Sequence, residues 1–162
     1  MDVCVMSRAC HVWHVIVEKT LELKIVLDHL PNPNANPNRR SGYAKNKKGG
    51  IYNPKLSEAK KVDREEIKIL VSQSGWDRPP MQKAHITITW RSSDKRNRDI
   101  DNLLSAMKGT IDGLVVERVI FDDSAKHLSY TLYYEWGDDI EKDETILEIK
   151  EIKWKTANII GK

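Results

Sequence analysis

Apolar and polar side chains alternate over 21–27. Leu21, Leu23, Ile25 and Leu27 are separated by Glu22, Lys24 and Val26. A period of two predicts a strand. The run Pro31-Asn-Pro-Asn-Ala-Asn-Pro37 that follows predicts an irregular loop, since proline fixes φ and has no amide donor. That loop continues through basic residues to Gly49 and Gly50. Pro54 and Ser57 then open a helical pattern to about 72, with Leu56, Ala59, Val62, Ile67, Leu70 and Val71 on its apolar face. Gly75, Pro79 and Pro80 end it.

The cleanest alternation covers 84–90, where Ile86, Ile88 and Trp90 share one face and Thr87 and Thr89 the other. A second helix is predicted over 100–114, buried through Ile100, Leu103, Leu104, Met107, Ile111 and Leu114. Strands are predicted over 127–136 and 145–154. The order is strand, long loop, helix, strand, helix, strand, strand. It predicts an α+β (mixed α/β) domain, a small mixed sheet of about four strands with two helices packed on it. Its expected span is 21–155, between a leader at 1–20 and a tail at 156–162.

Composition agrees with a soluble globular chain. The 162 residues are 40% hydrophobic and 31% charged, with a mean hydropathy of −0.57. No apolar run approaches the roughly 20 residues of a membrane-spanning helix, so no membrane partner is expected. The two cysteines, Cys4 and Cys10, both fall in the leader. A single bridge in a terminus is rare in secreted proteins, so a cytoplasmic, reducing setting is expected. Cys4, Cys10, His11 and His14 have zinc-binding chemistry but not zinc-finger spacing.

Net charge is only +3, yet it is segregated. Residues 38–48 carry Arg39, Arg40, Lys45, Lys47 and Lys48 and no acid. Residues 91–98 add Arg91, Lys95, Arg96 and Arg98 against Asp94 alone. Residues 135–151 hold eight acids and two lysines. Each basic run is by itself an ordinary solvated loop. Both flank a cluster of carboxylates, which makes them candidates for phosphate contact.

That cluster begins with Asp99 and Asp101, where a polar loop turns into the second helix. Helix N-termini favour acids, which accounts for one aspartate more readily than for two. Asp101, Ser105, Lys108 and Asp112 share one helix face. Lys108 is about 10 Å along the axis from Asp101 and is expected to reach back toward it. Asp122 and Asp123 follow the apolar run Val119-Ile-Phe121. Two or three aspartates near basic loops suit Mg²⁺, which takes hard oxygen ligands and supports phosphodiester hydrolysis. An EF-hand loop is excluded, because its fifth and sixth positions counted from Asp99 are Leu103 and Leu104. An aspartyl-phosphatase motif is disfavoured, because residues 92–98 before Asp99 are polar rather than a hydrophobic strand. His85 and His127 are expected to be ordinary sheet residues.

The segment Arg98-Asp-Ile-Asp-Asn-Leu-Leu104, followed by Lys108, Asp112-Gly-Leu114 and Asp122-Asp-Ser124, resembles the RusA family of Holliday-junction resolvases. The loop Leu30-Pro-Asn-Pro-Asn-Ala-Asn36 is similar to that family's first loop. The resemblance spans about 21–154. It implies a RusA-like fold and a Mg²⁺-dependent homodimer that binds four-way (Holliday) DNA junctions and resolves them by paired nicks in recombination and repair, in a gene of prophage origin. It implies Asp99, Asp101 and Asp123 as metal-binding and catalytic carboxylates and Lys108 as the catalytic lysine. Some family members carry that lysine where this chain has Ser105. Arg39, Arg40, Lys45, Lys47, Lys48, Lys95, Arg96 and Arg98 are the expected DNA contacts. The competing expectations are a non-catalytic DNA-binding module using 38–48 and 91–98, and a phosphatase or phosphotransferase acting on small nucleotides.

Overall fold

A computed structural model describes residues 20–38 and 43–152. Cys4, Cys10, His11, His14, Arg39, Arg40 and the end of the strand expected to reach 154 lie outside the described residues. The fold is α+β. Strands β1 (Glu22–Leu27), β4 (Ala84–Ser92), β5 (Leu128–Trp136) and β6 (Glu144–Glu151) form one sheet in the order β1-β6-β4-β5. β6 runs antiparallel to both β1 and β4, and β4 runs parallel to β5. Parallel neighbours need a long crossover. Here it contains α2 (Ile100–Ala106) and α3 (Lys108–Val116). Helix α1 (Pro54–Gln73) joins the first loop to β4 and packs on α3.

The core follows the predicted alternation. Ala84, Ile86, Ile88, Trp90 and Ser92 of β4 are fully buried, and the intervening residues are half-buried. Leu147 and Ile149 of β6, Ile25 and Leu27 of β1, and Ile67, Leu103, Met107, Ile111 and Leu114 of the helices complete that core.

Three expectations need correction. Val62 is 54% exposed, and the buried positions of α1 are Ala59, Asp63, Ile67 and Val71. Steps of four keep these residues in one narrow row, and Val62 falls beside it. Ile100 is exposed, as the first residue of α2. The second helix is also not continuous. The Met107 amide bonds to the Leu104 carbonyl in a tighter turn, and Lys108 starts α3. α3 lies closely against α1, and glycines allow the approach. A Cβ on Gly109 would meet Asp63 Oδ2 at 2.6 Å and the Lys60 Cα at 2.9 Å, and one on Gly113 would meet the Ile67 Cβ at 3.0 Å.

The first loop has more structure than its prolines predict. Asn32 caps a 3₁₀ turn, Pro33–Ala35, by accepting from the Asn34 amide at 2.9 Å. Ala35 is fully buried with Ala59 and Ala106, which fixes the loop against α1 and α2. Residues 44–52 form a β-hairpin of β2 (Ala44–Lys45) and β3 (Ile51–Tyr52). Asn46 Oδ1 accepts from the Lys48 and Gly50 amides at 3.0 and 2.7 Å, and Gly49 supplies the φ of +81° that the turn needs.

Candidate functional site

The backbone of Asp99 caps α2, with its carbonyl accepting from the amides of Asn102 and Leu103 at 3.1 Å. Its carboxylate does not. A capping aspartate normally accepts from the amides of the first turn, but Asp99 makes no side-chain cap bond. Its Oδ2 instead accepts from Asn102 Nδ2 at 3.1 Å, and Asn102 Oδ1 accepts from Asn36 Nδ2 at 2.9 Å. This chain ties the first loop to the start of α2. Asp99 and the exposed Asp101 line a cavity of about 580 Å³ with Asn38, Arg98, Ile100 and Asn102. Asn38, Arg98, Asp99 and Asn102 also line a larger cleft of about 830 Å³ under the first loop.

Lys108 is not turned back toward Asp101, contrary to expectation. Its Nζ donates to Asp112 Oδ1 at 2.8 Å and to Asp123 Oδ2. The break at Met107 separates the helix turn of Asp101 from that of Lys108, and two carboxylates ahead of Lys108 attract it more strongly. Those hydrogen bonds, Asp112's first, raise the Lys108 pKa, so it stays an ammonium. Tyr130 on β5 belongs to the same group. Burial, then the charge of Asp123, pushes its hydroxyl up to about 12. Asp122 is held below the usual carboxylate range by a hydrogen bond from Ser124. Among the described residues, Asp99, Asp101 and Asp123 do not form a cluster with ligand atoms within 4.8 Å of one another. The site therefore has two parts, an amide-lined aspartate cleft and a Lys108–Asp112–Asp123 group.

In the basic run 91–98, Arg91 and Lys95 pair with the acidic run that the sheet brings alongside, and Arg96 and Arg98 pair with Asp94 of their own run. Arg91 bonds to Glu135 and Glu144 from the strands on either side of β4. Lys95 pairs with Asp138 at 2.8 Å and Arg96 with Asp94 at 3.5 Å. Both cations are well exposed, and such surface pairs are weak enough to exchange for phosphate. Arg98 differs. Its guanidinium binds both oxygens of Asp94, at 2.7 and 2.9 Å, and also Ser92 Oγ and the Tyr134 hydroxyl. That set holds Asp94 far below the usual carboxylate range, first through Arg98. These bonds fix Arg98 in holding the loop before α2, and its side chain also lines the cleft beside Asp99. Lys45, Lys47 and Lys48 are exposed on the hairpin, with no ion pair to a described residue.

Sequence reasoning did not identify the roles of Asn36, Asn38, Asn102 and Tyr130, whereas Asp112 was named as a possible ion-pair partner of Lys108. Asp112 was on the Lys108 face at the ion-pair spacing of four. The asparagines gave no periodic signal. No family model matches the chain, and no curated protein matches it. No helix among the described residues is long and apolar enough to cross a membrane.

Proposed function

We propose that this chain is a Mg²⁺-dependent, structure-selective DNA endonuclease of the RusA type, acting in the cytoplasm on four-way junctions. The observation that carries this reading is the Asp99 carboxylate, which sits at a helix cap without capping and faces a cleft beside Asp101. The Asp99 carboxylate's bond from the Asn102 side-chain amide leaves it exposed at the cleft rather than spent on the helix amides. Carboxylate oxygens are the ligand type Mg²⁺ takes, so Asp99 and Asp101 would hold it at the cleft, while Asp123, the third carboxylate of the family reading, is paired with Lys108 apart from them. When bound, the ion supplies an activated water and neutralises charge on the phosphate. Lys108 provides a positive charge for the transition state, and the amides of Asn36, Asn38 and Asn102 orient the substrate backbone. Lys45, Lys47 and Lys48, with Arg39, Arg40, Lys95 and Arg96, contact phosphates along the junction arms. A two-fold homodimer suits a two-fold junction.

The test is nicking of a synthetic four-way junction beside a linear duplex, with and without Mg²⁺. Asp101→Asn should abolish cutting and leave junction binding intact or tighter, because it removes one charge that repels phosphate. Wild-type cutting by that variant would exclude the role. The separation of Asp123 from the Asp99 cleft favours one other reading, a DNA-binding module without catalysis. That module would bind the junction but show no Mg²⁺-dependent nicking.

A further inference from the structure

A second constellation lies where the end of β1 meets the middle of α1, and the proposed reaction does not use it. His29 Nε2 is 3.1 and 3.0 Å from the two carboxylate oxygens of Glu66. Asp28 adds a carboxylate, and one ligand atom from each of the three residues lies within 4.8 Å of the others. His29 Nδ1 is 2.7 Å from the Leu30 carbonyl oxygen. A carbonyl only accepts, so Nδ1 carries the proton of a neutral ring and the lone pair falls on Nε2. That lone pair faces carboxylate oxygens, which also only accept. Either a second proton on the ring or a cation among the three groups reconciles them. An imidazole fixed through one nitrogen by a backbone carbonyl is how metal-binding histidines are oriented.

Glu58 and Glu65 line the same groove as Asp28 and Glu66, with Lys61 the one cation among its lining residues. The local field is thus strongly negative around a single imidazole. The groove, about 630 Å³, leaves Asp28 and Glu66 open to water for further coordination, and His29 lines the neighbouring cleft under the first loop.

We propose that Asp28, His29 and Glu66 form a cation site of their own, separate from the Asp99 and Asp101 carboxylates although His29 also lines the larger cleft under the first loop, taking a divalent transition ion such as Zn²⁺ or Mn²⁺ in preference to Mg²⁺. The imidazole nitrogen sets that preference, since Mg²⁺ favours oxygen ligands throughout. Bound there, the ion ties the strand end that leads into the first loop to α1.

The test uses the full chain with Cys4 and Cys10 changed to Ser and His11 and His14 to Ala, which removes competing donors. Zn²⁺ is titrated by calorimetry, and Co²⁺ is followed by its visible absorption bands. The expected result is one equivalent bound, a higher melting temperature with Zn²⁺, and no comparable effect of Mg²⁺. His29→Ala and the near-isosteric Glu66→Gln, each shown folded by circular dichroism, should weaken Zn²⁺ binding about tenfold or more. A variant with Asp99, Asp101 and Asp123 all changed to Asn should keep the site, which separates this proposal from the nuclease reading. No stoichiometric binding by the background chain, or unchanged binding in both site variants, would overturn the proposal and leave an imidazolium–carboxylate ion pair.

Discussion

The ammonium of Lys108 bonds to the carboxylate of Asp123, fifteen residues further along the chain, and so joins the start of α3 to the loop before β5. Asp112 holds the same ammonium from one helical turn ahead. The lysine is thus placed by two acids, and its position depends little on its own rotamer preference.

Lys108→Ala separates two roles. In the proposed nuclease it should lower single-turnover cleavage on the order of 100-fold, with junction affinity nearly unchanged. A merely structural ion pair at this exposed position would cost about 0–1 kcal/mol of stability and leave the rate alone. Single-turnover rates at saturating enzyme, together with a urea melt, decide between them.

Asp63 makes stability depend on pH. Burial first, then the charge of Glu66, pushes its carboxyl up to about 6. The folded state therefore holds this proton more tightly than the unfolded chain, whose carboxyl has the ordinary value of 3.8. Stability from this group is fully present below about 4, falls as pH rises toward 6, and is flat above. Asp63→Asn should stabilise the protein at pH 7.5 by on the order of 2 kcal/mol. The gain should shrink toward pH 4. Urea midpoints of both proteins across that range test it, and a gain independent of pH would remove the buried charge as its cause.

The period-two strands and the amphipathic helices were legible in the sequence because burial there follows local spacing. Asp63 was not, because the room for an acid in that buried row is made by Gly109 on another helix. Charge segregation was legible too, but its meaning was not. Arg91 looks like a basic surface residue until β4 is placed between β5 and β6, which carry Glu135 and Glu144. The Asp99–Asn102–Asn36 chain depends on an irregular loop returning across the fold, which no periodicity encodes.

Gly109→Ala tests the helix contact. The new methyl carbon would stand 2.9 Å from the Lys60 Cα, which is backbone and cannot rotate away. The helices must separate, at a cost of about 1–3 kcal/mol, against a small gain in helix propensity. A thermal melt should show a clear loss. Neutral or higher stability would mean that α1 and α3 have room to spare.

The salt dependence of junction binding distinguishes the two basic runs. Each released phosphate counterion contributes about 0.9 to the slope of log affinity against log salt. Replacing Lys45, Lys47 and Lys48 by Ala should reduce that slope by up to about 2.7, with little effect on stability, because these side chains project from an exposed hairpin. Arg98→Ala should do the reverse. It leaves Asp94, Ser92 and the Tyr134 hydroxyl without their shared donor. It should therefore destabilise the loop before α2 while leaving the slope unchanged. Fluorescence anisotropy on a labelled junction over a range of salt concentrations, paired with melts of the same variants, gives both readouts. A flat response to the hairpin triple would mean that the hairpin faces away from DNA. A reduced slope in a normally stable Arg98→Ala would return that guanidinium to the DNA-binding surface.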